Sequence, residues 1–499
     1  MPAIYIYLTI AIYIIIGSIL AWKAKQGLEK GLLEYFLGGR KITGVLAALS
    51  YSATTFSAFM MIGLVGFTYS GGVGALGFEL VYLSGLSLVA FFGPRFWLVG
   101  QKYNYLSPYE MLADRYQNKW IAFILAATSC FFLIPYLAVQ LMGVGYLMNG
   151  LSGGQIPFIT GVIIAVLLAL SWALIAGLRS VVWTDSLQSL IMLIVSILIL
   201  VFLVFREFDG FINFFTTIET DYADFLTVPG PGFFDLQTFI GLSLPWFFFS
   251  ISNPQVSQRL FITDSLKSMQ TMIKGFLIFG LLFTIITVLW GFIALALMPG
   301  LEEPDMATPV LLASERVPVI FALIAMVGIT AAAISTIDSI LLTLSSLVIK
   351  DIFNQDEESE SGKEKKQKSV NNITIARILI VIIALISLIF AVQRFDLIAT
   401  LSVASSVGLL VVVPTIFGAF FWKNSTAAGS LSSITTGTIT AVFLQFSGLT
   451  PLGFWPGVWT LIISSLVFII ISYFTEAPDQ KAAEFLGYLN QEMKERKIL

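Results

Sequence analysis

The sequence contains no histidine and a single cysteine, Cys130, among its 499 residues. The missing histidine excludes zinc sites built on imidazole, histidine acid–base catalysis and histidine proton relays. One cysteine excludes an intramolecular disulfide framework and offers no metal-binding pattern. Charged residues are also scarce, at 11% of the chain, and the net charge of −3 says little about partners. These absences remove most metal, disulfide and acid–base chemistry from consideration.

Apolar residues are abundant instead. The chain is 57% hydrophobic with a mean hydropathy of +0.91, so it cannot cover itself with polar side chains. Apolar runs of roughly 20 residues recur from end to end, each long enough to cross a hydrocarbon core of about 30 Å. The runs are continuous and do not alternate, which predicts helices. We therefore expect an all-α polytopic membrane protein.

Thirteen membrane spans are predicted. They lie at about residues 4–22, 43–69, 73–99, 121–149, 156–176, 183–205, 236–257, 273–298, 317–350, 373–393, 396–421, 426–447 and 457–474. The first run lacks a basic segment and a cleavage site, so we expect a retained helix and not a signal peptide.

The positive charges orient these spans. The basic segment 23–41 places the N-terminus outside, and an odd number of spans then places the C-terminus in the cytoplasm. With this topology only Arg206, Arg316 and Arg394 fall on external segments, and all other Lys and Arg lie on cytoplasmic loops, helix ends or the tail. We predict a multi-pass protein of the plasma membrane.

Two predicted spans look interrupted. One, at 47–72, has the polar centre SYSATTFS, and the other, at 241–259, contains Pro245 and Pro254. Irregular backbone at membrane depth is tolerated only where it is buried in protein or lines a wet cavity. The two spans lie five helices apart, and since five is odd, the two five-helix sets have opposite orientations. Paired broken helices in inverted repeats indicate the central site of a transporter.

A single transmembrane transporter domain is therefore expected over 1–475. Its parts are a first inverted repeat at 42–206, a second at 236–421 and two extra helices at 426–474, and a cytoplasmic tail follows at 476–499.

Two segments outside the spans have distinct patterns. The stretch 356–372 is charged and has no apolar face, which predicts a flexible linker. The tail after Pro478 contains AAEFLGYLNQEM, which predicts a short amphipathic helix resting on the membrane surface.

Three acids lie well inside predicted spans, namely Glu79, Asp185 and Asp338. Each costs roughly 2.5–3.5 kcal/mol at a helix centre, so each needs a partner or a use. Glu79 either is a satisfied structural carboxyl or faces a cavity. Asp185, near the start of its span, either binds a ligand or only favours the helix dipole.

The ninth span carries AAAISTIDSILLTLSS, with many hydroxyls around its acid. Ser335, Asp338 and Ser339 share one helix face, and Thr336 lies beside it. Clustered hydroxyl and carboxylate oxygens suit a hard cation such as Na⁺ and not soft metals. The hydroxyls alone could equally serve helix packing, but packing does not require a carboxylate. Asp338 stays open as an ion ligand, a proton carrier or a satisfied structural acid.

Four stretches carry a family resemblance: TTFSAFMMIGLVGFTYSGG, WTDSLQS, SQRLFITDSLKSM and AAAISTIDSILLTLSSLVIKDIF. Together they make the chain similar to the sodium:solute symporter family over nearly its whole length. The resemblance implies inverted five-helix repeats of leucine-transporter type. It implies a secondary active symporter that couples the inward sodium gradient to uptake of a small polar organic solute.

The resemblance also implies no enzymatic activity and no cofactor, with Na⁺ as the coupling ion and the only metal. We expect the protein to work as a monomer in the lipid bilayer and to bind no nucleic acid. The alternatives are a proton-coupled carrier of the same fold that uses Asp185 and Asp338, or an ion channel.

Site residues follow from the resemblance position by position. The implied sodium site comprises the carbonyls of Ala53, Phe56 and Ala332 with the hydroxyls of Ser335 and Thr336. A second sodium or proton site is implied at Asp185, Ser335, Asp338 and Ser339, where Asp338 replaces a hydroxyl of other members.

The implied solute site comprises Thr55, Ser57, Glu79, Trp246 and Phe249. Sugar-transporting members pair an acid at the Glu79 position with a lysine, where this chain has Gly280, and the acid of proline carriers is Thr55 here. Neither substrate therefore transfers to this chain. We expect Phe247 and Phe248 to serve packing.

Overall fold

A computed structural model describes residues 1–25, 31–228, 235–353, 362–394 and 398–498. Within these ranges the chain is helical, and the one extended pairing is a parallel backbone bridge between Ile42 and Thr263. The α-helices, in chain order, are α1 (Ala3–Lys25), α2 (Leu32–Leu37), α3 (Gly44–Thr55), α4 (Val65–Gly71), α5 (Val73–Leu86), α6 (Leu88–Tyr103), α7 (Pro108–Tyr116), α8 (Lys119–Leu151), α9 (Phe158–Phe208), α10 (Phe211–Asp221), α11 (Leu236–Phe247), α12 (Phe249–Ser252), α13 (Pro254–Ser257), α14 (Leu266–Leu297), α15 (Ala307–Ala313), α16 (Val319–Leu347), α17 (Gly362–Gln393), α18 (Ile398–Val407), α19 (Val412–Phe421), α20 (Ala427–Ser447), α21 (Pro456–Tyr473) and α22 (Asp479–Glu495).

The predicted all-α membrane architecture is confirmed. Among the described residues, ten helices are long and apolar enough to cross a membrane, and the bent pair Gly44–Thr55 and Phe59–Gly71 makes an eleventh span. Two predicted spans account for the difference from thirteen. The span at 156–176 contains only a shorter apolar helix, Phe158–Trp172, and the span at 236–257 is divided among α11, α12 and α13. The count of thirteen stays a prediction.

The first broken span bends by 53° between α3 and the π-helical turn Phe59–Leu64 that precedes α4. The hydroxyls of Ser52, Thr54 and Thr55 donate to carbonyl oxygens four residues earlier, at 2.7, 3.0 and 2.7 Å. Such back-bonding competes with the helical ladder and bends helices. Phe56 then leaves helical geometry, with φ −96° and ψ 90°. The polar centre of this span therefore breaks the helix without a proline.

The second broken span is interrupted by proline. Asn253 precedes Pro254 and is extended, with φ −87° and ψ 114°, because the proline ring disfavours helical geometry in the residue before it. Pro254 then occupies the first position of α13, where its missing N–H costs nothing. Both interruptions predicted from the sequence are present.

Gly177 divides α9 into its two predicted spans. Its φ is +61°, and a Cβ at this position would lie 2.4 Å from the carbonyl oxygen of Tyr35 on α2, so both the backbone and the close approach require glycine. The second apolar segment runs from Gly177 to Phe208. Asp185 lies more than two turns inside it, and a helix dipole acts within the first turn. The dipole interpretation of Asp185 is therefore wrong.

The polar half of α16 faces protein and not lipid. The helix packs along α9 and against α3, and every residue from Gly328 to Ile349 is buried. The hydroxyls and the carboxylate in AAAISTIDSILLTLSS therefore lie at helix–helix contacts, in the interior of the bundle.

The tail forms the predicted amphipathic helix, α22, but its apolar stripe contacts protein. Phe485, Leu489 and Met493 are buried, and the helix packs on α6 and α7. Its polar side adds an ion pair of 2.7 Å between Lys481 Nζ and Asp114 Oδ2 on α7. The expectation that this helix rests on the membrane surface is therefore wrong.

The charged stretch 356–372 also differs from expectation in part. Residues 354–361 lie outside the described residues, but α17 begins at Gly362, so the second half of the predicted linker is helical. Lys, Glu and Gln are good helix formers and extend the apolar helix that follows them.

Candidate functional site

The hydroxyls of α16 meet the broken end of α3. Ser335 Oγ lies 2.9 Å from the carbonyl oxygens of both Ala53 and Ala332. Thr336 Oγ1 lies 3.5 Å from the Ala53 carbonyl and 3.2 Å from that of Ala332. Phe56 is three residues beyond Ala53, at the point where the backbone leaves the helix. The structure thus brings four of the five predicted sodium ligands into direct contact, with the fifth at the adjacent break.

This cluster contains only neutral oxygen atoms. The two hydroxyls donate to the carbonyls, so each polar group is satisfied and its burial is tolerated. Hydroxyl and carbonyl oxygens are ligands of hard cations. A cation that enters here replaces the O–H···O contacts with O···cation contacts, and the hydroxyl hydrogens turn away. The arrangement therefore has the chemistry of a small hard-cation site that joins α3 to α16.

A buried ion pair lies beside this cluster. Arg259, in the turn Gln258–Phe261 after α13, places Nη2 3.2 Å from Asp185 Oδ2 on α9. Ser50 Oγ on α3 donates to the same Asp185 oxygen at 2.7 Å. The guanidinium also donates to the hydroxyls of Ser50 and Ser339. One arginine therefore connects α3, α9 and α16.

Arg259 was missed in the sequence analysis, where it was assigned to a cytoplasmic helix end. A usable signal was present, because Asp185 needed a partner and Arg259 directly follows the second broken span. Spacing along the chain could not pair the two residues, since 74 positions separate them.

The predicted second-ion set is divided by this arginine. Asp185 and Ser339 both contact Arg259, and Ser339 also bonds Thr54 Oγ1 at 3.0 Å. Asp338 is buried, and its Oδ1 has no hydrogen-bond partner in the part of the chain that the structure describes. Asp185 is therefore compensated by a fixed positive charge, whereas Asp338 keeps one carboxylate oxygen without a hydrogen-bond partner among the described residues.

Aromatic rings connect the two broken spans. Trp246 on α11 stacks on Phe249 with centroids 5.0 Å apart and on Phe59 at 4.8 Å. Tyr82 on α5 meets the Trp246 ring edge to face at 4.8 Å. Trp246 and Phe249 thus lie next to Phe59, just beyond the break in the first span, and their role in solute binding stays a prediction. Phe248 packs on its neighbour Phe247 at 4.9 Å.

Glu79 lies close to this aromatic cluster on α5 and is fully buried. Its Oε2 accepts a long hydrogen bond of 3.5 Å from Thr284. Its Oε1 has no partner among the described residues, and neither have Tyr82 Oη, Trp246 Nε1 or the side-chain amide of Gln140. Unpaired buried polar atoms are costly and rare. Glu79 is therefore not a fully satisfied structural carboxyl, and it lies among other buried polar atoms that are unpaired within the described residues.

The other two predicted solute residues hold the backbone of the break. Thr55 Oγ1 donates to the Tyr51 carbonyl at 2.7 Å, and Ser57 Oγ accepts from the Phe59 N–H at 3.2 Å. Both lie at the end of α3, where the aromatic cluster and the hydroxyls of α16 approach the chain from two sides.

Comparisons with known proteins agree with this arrangement. Residues 35–437 match the family model described as the sodium:solute symporter family. The chain is 25% identical to the sodium/pantothenate symporter of Escherichia coli (strain K12) over 451 residues, which cover 88% of this chain and 90% of that protein. The corresponding symporter of Haemophilus influenzae is 25% identical over 353 residues, 70% of this chain and 71% of that protein.

Solved structures show the same fold. A Na⁺-coupled sialic acid symporter superposes with a TM-score of 0.77 at 21% identity, over 95% of this chain and 98% of that one. Mhp1, a nucleobase-cation-symport-1 family transporter, superposes with a TM-score of 0.57 at 12% identity, over 93% of this chain and 100% of that one. These likenesses confirm the predicted leucine-transporter-type fold.

Proposed function

The chain belongs to the sodium:solute symporter family and is a sodium-coupled solute transporter, and from this premise we propose where the ion and the solute bind. Sodium binds between the break after α3 and the middle of α16, with Ala53, Phe56, Ala332, Ser335 and Thr336 as ligands. The observation that supports this assignment most directly is the convergence of Ser335 Oγ and Thr336 Oγ1 on the Ala53 carbonyl, at 2.9 and 3.5 Å.

Coupling follows from the position of this site. A sodium ion held by oxygens of α3 and α16 favours one relative position of the two helices and orders the backbone of the break. That backbone leads within three residues to Phe59, which stacks on Trp246 of the aromatic cluster. An ordered break therefore improves solute binding, and by linkage a bound solute improves sodium binding by the same factor.

The solute binds between the two broken spans and α5. Thr55, Ser57, Glu79, Trp246 and Phe249 are the contact residues that we propose. The unpaired Glu79 Oε1 accepts from a hydroxyl or an amine of the solute, and the rings of Trp246 and Phe249 cover its apolar surface. This combination supports a small polar organic solute with hydrogen-bond donors.

Asp338 is proposed as the additional ion-coupling residue. Arg259 forms its ion pair with Asp185, so a second cation near Asp185 and Ser339 can bind Asp338 Oδ1, which has no hydrogen-bond partner among the described residues. A second Na⁺ bound there raises the Hill coefficient for sodium above one, and Asp338→Asn returns it to one. A proton bound there instead makes uptake depend on pH, and Asp338→Asn removes that dependence.

As a transporter the protein needs no catalytic residue, and we propose that it has no enzymatic activity and no cofactor. We further propose that it lies in the plasma membrane with its N-terminus outside, works as a monomer and moves its solute inward. Accessibility labelling of single cysteines placed in the 207–228 and 476–498 segments of a Cys130→Ser variant tests the orientation.

The proposed sodium site is tested with purified protein in proteoliposomes. A thermal-shift screen, with and without Na⁺, first identifies solutes that bind the folded state. Pantothenate and sialic acid, which two similar symporters carry, are the first candidates. Uptake of the solute so found should need an inward Na⁺ gradient. Ser335→Ala combined with Thr336→Ala should remove that dependence.

Ser345→Ala is the matched control, because Ser345 is a buried hydroxyl on the same helix that bonds only the Leu342 carbonyl, at 2.8 Å. It should retain sodium-driven uptake. Uptake by the double variant that still depends on the inward Na⁺ gradient as fully as wild-type uptake would contradict the proposal.

A further inference from the structure

A groove on the membrane-facing surface lies between α9 and the start of α17. Its volume is about 440 Å³, and six residues line it: Leu174, Thr374, Arg377, Ile378, Val381 and Ile382. Four of the six are aliphatic, and the two polar residues, Thr374 and Arg377, are the first two lining residues that α17 contributes. The groove thus combines a long apolar wall with a polar end. The adjacent surface of α17, where Ile386 and Ile389 are exposed, is apolar and has no such polar end.

The lining residues of α17 form one continuous stripe. They stand at positions i, i+3, i+4, i+7 and i+8 from Thr374 to Ile382, which is one face of a helix. At 1.5 Å per residue the stripe is about 12 Å long. The apolar segment of α17 begins at Thr374, and residues 362–372 before it are mostly charged or polar. Arg377 therefore lies at the level of the membrane interface, and the aliphatic residues extend into the hydrocarbon region.

Within the described part of the chain, the Arg377 guanidinium has hydrogen-bond donors to spare. Its side chain is exposed and makes a hydrogen bond with the Tyr35 side chain on α2, which uses only part of a guanidinium with five N–H groups. A second arginine, Arg179 on α9, forms an ion pair of 3.6 Å with Glu34, the residue before Tyr35. Glu34 therefore compensates the charge of Arg179, and Arg377 supplies the positive charge at the end of the groove.

We propose that this groove binds an anionic phospholipid of the bilayer. Its phosphate accepts hydrogen bonds from the guanidinium of Arg377, whose fork geometry matches phosphate oxygens, and one acyl chain lies along Leu174, Ile378, Val381 and Ile382. Basic pockets between transmembrane helices on the cytoplasmic side bind such head groups, and this end of α17 is the side that the charge distribution predicts to be cytoplasmic.

The two halves of the groove exclude other occupants. A soluble anion would use Arg377 and leave the apolar wall without a partner. A zwitterionic lipid would fill the wall but would place the positive charge of its headgroup close to the guanidinium of Arg377. Only a lipid with a net negative headgroup satisfies both halves, and this conclusion is independent of where sodium and solute bind.

The test measures the thermal unfolding of the full-length protein in neutral detergent. Phosphatidylglycerol should raise the unfolding midpoint by several degrees more than phosphatidylcholine does. Arg377→Gln should remove this difference. Tyr35→Phe, which removes the tyrosine hydroxyl and leaves the arginine, should retain it.

The apolar half has its own pair of variants. Val381→Trp fills the groove and should also remove the phosphatidylglycerol effect, and Ile375→Trp, an exposed site on α17 outside the groove, should retain it. Glycerol phosphate, which has the headgroup without the chains, should give no shift. Native mass spectrometry of the same variants counts bound phosphatidylglycerol directly and remains informative where a variant is unstable.

An equal phosphatidylglycerol effect in wild type and Arg377→Gln would overturn the proposal. So would an effect reproduced by glycerol phosphate, which would identify a site for free anions, or one that Val381→Trp leaves unchanged.

Discussion

Arg259 and Asp185 form an ion pair inside the protein, with 3.2 Å between Nη2 and Oδ2 and less than 4% of either side chain exposed. The pair joins the turn after the second broken span to α9, and Ser50 of the first broken span donates to the same carboxylate at 2.7 Å. Elements that lie far apart in the chain are thus held at one point, directly next to the hydroxyls of α16. The pair also supplies a fixed positive charge where the sequence suggested only negative ones.

Removal of either member of this pair should be strongly destabilising. Arg259→Gln leaves the buried Asp185 carboxylate uncompensated, which typically costs about 3–5 kcal/mol in the free energy of unfolding. Asp185→Asn leaves the arginine uncompensated, and the double variant should be less unstable than the sum of the two. Thermal unfolding midpoints in detergent measure all three. Arg316→Gln, which breaks an exposed pair of 3.4 Å with Glu207, should cost less than about 1 kcal/mol.

Glu79→Gln should separate solute binding from stability. The substitution removes a buried carboxylate whose Oε1 has no partner among the described residues, so the solute-free protein should be as stable as wild type or more stable. Solute affinity should fall by at least about tenfold, which corresponds to about 1.4 kcal/mol. Thr284→Val, which removes only the long 3.5 Å hydrogen bond to Glu79, should change affinity less. Unchanged KM for uptake by Glu79→Gln would contradict the proposed role.

Gly85→Ala should prevent normal packing of α5 against the second broken span. A Cβ at Gly85 would lie 1.9 Å from the carbonyl oxygen of Phe247 and 2.4 Å from its Cα, and backbone atoms cannot turn aside as side chains do. We expect a loss of at least about 3 kcal/mol or no folded protein. Gly487→Ala is the control, because nothing lies within 4 Å of its added Cβ, and in α22 it should gain about 0.5–1 kcal/mol. Size-exclusion profiles and unfolding midpoints distinguish the two.

Phe485→Ala should release α22 from the helices that it covers. The Phe485 ring is buried, and it stacks on Tyr103 at 6.2 Å and packs near Phe420 at 5.8 Å. Its truncation should cost about 3–5 kcal/mol of docking free energy, so amide hydrogen exchange should accelerate throughout α22. Asn490→Ala, on the exposed face of the same helix, should leave exchange unchanged. Equal exchange in both variants would mean that the contact does not hold the tail in place.

Acid should also weaken the docking of α22 on the helices that it covers, through protonation of Glu484. The Tyr103 hydroxyl donates to this carboxylate at 2.8 Å, and that hydrogen bond lowers the pKa of Glu484 below its usual range. Because the pKa of Glu484 is lower in the folded than in the unfolded protein, its carboxylate stabilises the fold. This stabilisation is complete above the pKa of the unfolded protein, about 4.3, and is lost as the pH falls through the pKa of the folded protein. Protease cleavage within 479–495 should therefore increase below about pH 4. Glu484→Gln should show the increased cleavage at neutral pH and little further change with acid.

Several features of the fold could be predicted because they depend on local chemistry. Apolar runs of membrane length predicted the helices, the back-bonding hydroxyls of SYSATTFS and the prolines at 245 and 254 predicted the breaks, and the AAEFLGYLNQEM pattern predicted α22. The location of that last helix was wrong, because an amphipathic pattern shows that an apolar face needs a cover and does not say whether lipid or protein provides it.

The candidate site, like the fold, could be predicted only in part. Ser335 and Thr336 were placed with Ala53 through the family resemblance, and in the structure their hydroxyls lie against the Ala53 carbonyl. Arg259 was missed, and the dipole interpretation of Asp185 was wrong, because the partner of a buried charge is set by distance in space and 74 positions of sequence separate these two.

The sequence by itself determined that the chain is a helical membrane protein with two interrupted spans and a hydroxyl-rich helix, since solvation in lipid, backbone hydrogen bonding and proline geometry act over a few residues. Only the tertiary structure decided which oxygen atoms converge, which acid receives a counter-charge and which remains without one. Those outcomes depend on electrostatic and packing interactions that vary with distances of a few ångströms between helices, and such distances exist only once the helices have packed.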